Sequence, residues 1–218
     1  MPATPQQLPR TVWVGFGLLL VLLGAMYLLS VMEVKQARAR ALPVLGQVAD
    51  FTLTNENGQV TTLADLTNHV WVADIIFTRC AASCPIMTHE MRLLQDALPA
   101  DSKAKLVSLT TDPDYDTPVI LKRYSDHYGA DFNRWMFLTG TKREIAGLAT
   151  SSLKLGSTPV ALKDQKDPVD LFVHSTIFVA VDKHARLRGI FQTEGDGVDW
   201  TNVQPHIVAA VRQLEAEE

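Results

Sequence analysis

With 20 basic and 24 acidic side chains in 218 residues, the chain is mildly acidic, and its charge is unevenly placed. Residues 1–46 carry four basic and one acidic residue, net +3, leaving 16 basic and 23 acidic, net −7, for the remainder. A domain that acidic, with no basic stripe, argues against nucleic acid as a partner. The length beyond residue 46 suits one domain with a core of its own.

After a short N-terminus, residues 1–10, the stretch Thr11 to Met32 contains no charged residue and is dominated by Leu, Val and Gly. As a helix it spans ~33 Å, enough for a bilayer core of about 30 Å. A cleaved signal peptide is the competing reading, helped by Ala37-x-Ala39 and Ala39-x-Ala41. Its apolar region is normally shorter, about 7–15 residues, so a single uncleaved transmembrane anchor is preferred. Counting Arg10 against Lys35, Arg38 and Arg40 places the C-terminal part in the cytoplasm. A cysteine pair, by contrast, points to an oxidising compartment. Residues 33–46 read as a juxtamembrane linker, and residues 47–218 as the globular domain.

Within that domain, Phe51–Thr54 and Val60–Leu63 flank Asn57-Gly58, a hairpin signal. Val70 to Phe77 is an apolar run rich in β-branched residues and reads as a buried strand. The helix after it ends near Leu98-Pro99. Lys105–Leu109 and Trp135–Thr139 are further strands. Thr117 and Pro118 give an N-cap with proline at the first helical position, and Gly129 stops that helix. Asp112 and Asp116, just before it, are candidates to tune a neighbouring site, with turn and capping duty the preferred reading. Thr141 with Glu144 is a capping box for a helix ending near Ser151. Lys154 to Pro168 is a long loop. Leu171–Val181 and Arg186–Phe191 form a second hairpin, and the last helix covers Val203 to Leu214, with Pro205 tolerable only in its first turn. Two hairpins, with strands alternating with helices, give an α/β domain built on a mixed sheet with flanking helices.

The domain is organised around Phe77-Thr78-Arg79-Cys80-Ala81-Ala82-Ser83-Cys84-Pro85, which holds both cysteines of the chain. They sit at a strand-to-helix junction, where unpaired N–H groups and the helix dipole stabilise a thiolate. Residues four apart on a helical turn lie about 6 Å apart, within the range a disulfide closes, and both sulfurs can also converge on one soft metal ion. A reversible dithiol switch, a thiolate metal site and a structural disulfide therefore all fit the spacing. Of the six histidines, His69, His89, His127, His184 and His206 fall on surfaces, turns or helix ends by pattern. His174 differs, because it interrupts the apolar strand Leu171–Phe178. A core or sheet histidine is the ordinary reading there. Two thiolates and one imidazole would, however, make a trigonal site suited to Cu(I), whereas zinc normally takes a fourth ligand. Met87 and Met91, at helical spacing, are core residues first.

Four blocks, in order and spacing, resemble the Sco/SenC/PrrC family. They are Phe77-Thr78-x-Cys80-x-x-x-Cys84-Pro85, Asp112-Pro113-x-x-Asp116-Thr117-Pro118, Trp135-x-x-Leu138-Thr139-Gly140 and His174-Ser175. The resemblance implies a thioredoxin-like fold tethered by an N-terminal helix. It implies residues 1–10 in the cytoplasm and the domain on the periplasmic or intermembrane-space side of the inner membrane. It also implies a copper ion held by Cys80, Cys84 and His174, delivered to the binuclear copper site of cytochrome c oxidase subunit II or a similar acceptor. The loop from Lys154 is then placed to cover the ion. An oxidised pair offers no thiolate to copper, so a thioredoxin-like reductant is an expected second partner. The alternative is a thiol–disulfide oxidoreductase, with Cys80 as nucleophile and Cys84 as resolving thiol; a thiol peroxidase is a weaker third. Three positions depart from the family pattern: Ala81 stands where proline is common, Val173 where aspartate is usual, and His184-Ala185 where the hairpin turn usually contains glycine.

Overall fold

The computed structural model describes residues 19–20, 22–29, 41–155 and 176–217. The chain divides into two units, residues 1–41 and 42–218. In the first, residues 19–20 and 22–29 are helical. No helix among the described residues is long and apolar enough to cross a membrane. Most of the span expected over residues 11–32 lies outside them.

The second unit is a mixed α/β fold, as the alternation of strands and helices predicts. A two-residue strand, Gly46–Gln47 (β1), precedes the hairpin Thr52–Asn55 (β2) and Val60–Thr62 (β3), whose turn uses Gly58 at φ +76°. A short helix, Leu63–Leu66 (α1), follows where strand was expected to continue. Asp65 accepts the Thr62 N–H at 2.7 Å and its hydroxyl at 2.8 Å, closing a capping box that turns the backbone out of the sheet. Trp71–Ile76 (β4) leads through the cysteine turn into Ser83–Ala97 (α2). Then come Lys105–Thr110 (β5), Pro118–His127 (α3), Trp135–Thr139 (β6) and Lys142–Ala146 (α4), which passes into a π-helical turn at Gly147–Ser152. Thr141 and Glu144 form the expected capping box. Ile177–Val181 (β7) and Arg186–Gln192 (β8) form the second hairpin, and Trp200–Ala216 (α5) closes the domain.

That last helix starts earlier than its apolar spacing predicts. Asp199 caps it by accepting the Thr201 N–H at 2.9 Å, which leaves Pro205 inside the helix, beyond its first turn.

The sheet order is β1-β8-β7-β4-β5-β6-β2-β3. β4, β5 and β6 run parallel in the middle, and β7 lies antiparallel to β4. Alternation along β4 divides the core. Trp71, Ala73 and Ile75 join the layer containing α1 and α4, whereas Val72 and Ile76 face Met87, Met91 and Leu94 of α2 and Ile207 of α5. Met91 and Leu94 are fully buried, each contributing roughly 1.5–3 kcal/mol. The cysteine turn leaves the carboxyl end of β4, between a parallel and an antiparallel neighbour. That is where an open α/β sheet presents its binding crevice.

Candidate metal-binding and redox site

Cys80 and Cys84 are brought together at this end of the sheet as free thiols. The Cys80 N–H donates to the Phe77 carbonyl at 3.1 Å, folding the chain into a tight turn directly after β4. Ser83 then starts α2, so Cys84 is its second residue and Pro85 its third. Proline costs nothing there, because first-turn N–H groups have no intrahelical acceptor. The two thiols are close enough for Cys80 to influence the ionisation of Cys84. Both are buried, Cys80 at 9% and Cys84 at 4% exposure, in the layer with Met87 and Met91. The two methionines are core residues, as their spacing predicts.

Burial works against the helix N-terminus at Cys84. Cys84 occupies the helix N-terminus, where the dipole favours a thiolate, yet its thiol is pushed well above the ordinary range. Desolvation is the largest cause; the neighbouring Cys80 and the charge of Asp74 push the same way, against a hydrogen bond from the Phe77 backbone. A buried thiolate is favoured here once a cation, such as a soft metal, lies against it.

The turn is held from outside by the segment after β5. Asp116, fully buried, accepts the Thr78 N–H at 3.0 Å and also the hydroxyls of Thr78 and Thr110. Asp112 pairs with the Arg79 guanidinium, which stacks over the Tyr115 ring at 4.2 Å. Turn duty was preferred for both aspartates over tuning a neighbouring site; Asp116 takes part in the turn through its N–H to the Asp112 carbonyl, and its side chain fixes the residue two before Cys80.

Two further carboxyls lie behind the cysteines. Asp74 is fully buried on the cysteine face of β4, opposite Ser108 of β5. Neither of its oxygens has a hydrogen-bond partner of good geometry. The Ser108 hydroxyl accepts from Trp135 Nε1 at 3.0 Å and pulls only partly against burial, which raises the Asp74 carboxyl to about 7. Burial likewise raises Glu90 of α2 to about 7, with Glu194 adding to the rise and Thr193 opposing it. The signal for Asp74 was available as the one charged residue inside the apolar run Val70 to Phe77.

Among the described residues no cluster of three or more His, Cys, Asp or Glu can hold a metal ion. The cysteine pair itself supplies two soft sulfurs, a donor set suited to Cu(I) or another thiophilic ion. His89, His127, His184 and His206 are exposed, and His69 is half-buried with its Nδ1 at 3.0 Å from the Lys103 carbonyl. His174, Val173, most of the strand expected to carry them and most of the loop from Lys154 lie outside the described residues. The His184-Ala185 turn is described, and Ala185 adopts φ +58°, the left-handed conformation that glycine takes more easily.

Comparison with known proteins follows this geometry. The SCO1 protein homolog of Bacillus subtilis is 35% identical over 141 residues, 64% of this chain and 70% of that one. Among solved structures, BsSco, a member of the Sco family of cytochrome c oxidase assembly proteins in which a disulfide switch is identified, superposes with a TM-score of 0.66 at 28% identity. That match covers 82% of this chain and 100% of BsSco. The copper-bound ScoI of Bradyrhizobium japonicum shares the fold, with a TM-score of 0.59 at 22% identity over 77% of this chain and 99% of that one. The SCO1/SenC family model matches residues 44–204. With about three-quarters of its length matched, and with a paired dithiol at the carboxyl end of the central strand, the chain belongs to the SCO1/SenC family.

Proposed function

We propose that this protein is a membrane-tethered copper chaperone. Cu(I) is its cargo, held by the Cys80 and Cys84 thiolates with the His174 imidazole and delivered to the binuclear copper site of cytochrome c oxidase subunit II. The observation that carries the reading is the pair of buried, unlinked thiols in one core layer at the head of α2. Two soft donors so placed match the low coordination Cu(I) accepts, and the ion's charge offsets the burial that otherwise keeps Cys84 protonated. Copper-bound relatives of the same fold agree with it. Residues 1–10 stay in the cytoplasm and the domain lies on the periplasmic or intermembrane-space side of the inner membrane. A thioredoxin-like reductant keeps the pair loaded with thiols.

The test is competitive Cu(I) titration of the reduced wild type beside Cys80→Ser, Cys84→Ser and His174→Ala. One ion per chain, lost with either cysteine and weakened with His174→Ala, is the expected result. Equal binding by all four ends the copper reading.

A second reading, thiol–disulfide exchange on subunit II or other exported proteins, is favoured by the apposition of the two thiols itself. It is distinguished by exchange activity that persists in His174→Ala.

A further inference from the structure

Beside Cys80 lies a groove of about 390 Å³ that copper binding by the cysteine pair does not use. One wall is the cysteine turn, with Thr78, Cys80 and Pro85; the other is Tyr115 and one face of α3. Ile120, Tyr124 and His127 are spaced at i, i+4 and i+7, so they line a single stripe of that helix, while Leu121 and Ser125 point to the core. The floor is rigid. The Tyr124 hydroxyl bonds Thr88 of α2 at 2.8 Å, and its ring packs on Tyr128 at 4.9 Å. Tyr115 is pinned by Arg79 yet stays 44% exposed.

The charge of the groove runs against that of the domain. Among the described residues, Arg123, exposed at the rim, makes no ion pair or hydrogen bond, and no carboxylate lines the space. The nearby Arg79 is already matched by Asp112. Aromatic rings, an unpaired arginine and a thiol opening into one cleft are the composition of a protein-binding hot spot, and the unpaired cation selects an anionic occupant.

We infer that this groove docks an extended segment of the partner protein, in which carboxylates flank an aromatic side chain beside a cysteine whose sulfur replaces that of Cys80 on the cargo Cu(I): one Cu–S bond forms as the other breaks, and the partner thiol's proton passes to Cys80. The inference rests on the reading of Cys80 as a transfer group. The aromatic side chain enters between Tyr115 and Tyr124, a carboxylate meets Arg123, and the partner's thiol is thereby set against Cys80 rather than Cys84.

Fluorescence anisotropy on the full chain in detergent tests it, with a labelled peptide Gly-Glu-Phe-Ser-Glu-Gly, in which serine replaces the reactive cysteine. Its counterparts carry Lys for both Glu, or Gly for Phe. The expected result is binding of the Glu–Phe peptide about tenfold tighter than either counterpart, with Arg123→Glu reversing the Glu-over-Lys order. Equal binding of the three peptides, or an order unchanged by Arg123→Glu, overturns the docking site. Cu(I) titration of the same preparations separates this from the function. Wild type that binds copper without discriminating among peptides loses the groove alone. Wild type that discriminates but binds no copper keeps the groove and loses the cargo.

Discussion

Asp116 and Thr78, 38 positions apart, are joined twice: the carboxylate accepts both the backbone N–H and the hydroxyl of the threonine. A side chain from the segment after β5 thereby sets the conformation of the turn that follows β4. Replacing it should damage the site as well as the fold. Asp116→Ala leaves a buried N–H and the Thr110 hydroxyl without an acceptor, at a cost of about 3 kcal/mol. Thermal unfolding should show the loss, and Cu(I) affinity of the folded fraction should fall with it. Unchanged copper binding would mean that the turn holds its own shape.

Asp74 gives a pH dependence whose sign can be worked out. Its folded value, about 7, lies above the ordinary 3.8, so between those pH values the folded protein holds a proton that the unfolded chain has released. Stability is therefore greatest at the acid side of this window and declines as pH rises to about 7. Glu90, raised from 4.5 to about 7, adds to the same decline. Asp74→Asn should flatten the slope and be more stable than wild type at pH ~8 by about 2 kcal/mol, or ~4–8 °C in Tm. Parallel Tm-versus-pH curves for the two proteins would contradict it.

The two thiols should differ in reactivity. Cys80 opens into the groove beside α3, whereas burial raises the Cys84 thiol. Iodoacetamide at pH ~8 should alkylate Cys80 at least about tenfold faster, as read by mass spectrometry of partly labelled protein. Faster labelling of Cys84 would reverse the assignment of nucleophile and resolving thiol.

At the other end of the sheet, Arg188 is buried with Asp182, at 2.7 Å, and reaches Glu217 at 2.7 Å. Burial alone would raise the Asp182 carboxyl, but Arg188, Arg186 and backbone N–H groups together hold it below its ordinary value. This stabilisation is present above pH ~3.8 and is lost as pH falls through the lower folded value. Arg188→Met should cost roughly 2–3 kcal/mol at neutral pH, because buried Asp182 keeps only Arg186 and backbone N–H groups and Glu217 loses its partner, and less in acid. Denaturant unfolding at two pH values measures the difference.

Sequence patterns located most elements because their signals are local. Asn57-Gly58, Thr117-Pro118 and the Thr141–Glu144 box each act within a few residues, and each appears where the pattern puts it. α1 escaped because Thr61-Thr62-Leu63 continues a strand-like run, and its capping partner Asp65 is not the Glu or Gln of the usual signature. At the site, the closeness of Cys80 and Cys84 was legible from their spacing, which leaves open whether they form a disulfide, a redox pair or a metal site. The enclosure that raises Cys84, the unpartnered Asp74 and the Asp116 clamp depend on packing between β4, β5 and α2, which no periodicity reports. Turn chemistry explained Asp116 only within its own loop, and Thr78 lies beyond that range.

Arg188 also donates to the Leu42 carbonyl, at 2.7 Å from Nη2. One guanidinium thus staples the first residue of the domain to the penultimate residue of the chain. Both ends meet beside the β7–β8 hairpin, at the amino end of β4, while the cysteines follow its carboxyl end, about 20 Å away. A pull applied at Leu42 is therefore taken up by Arg188 and the end of α5 rather than by the cysteine turn. A tag, a reporter or a surface linkage attached to the C-terminus would emerge beside Leu42 and the β7–β8 hairpin, at the amino end of β4 rather than at the end the cysteines follow.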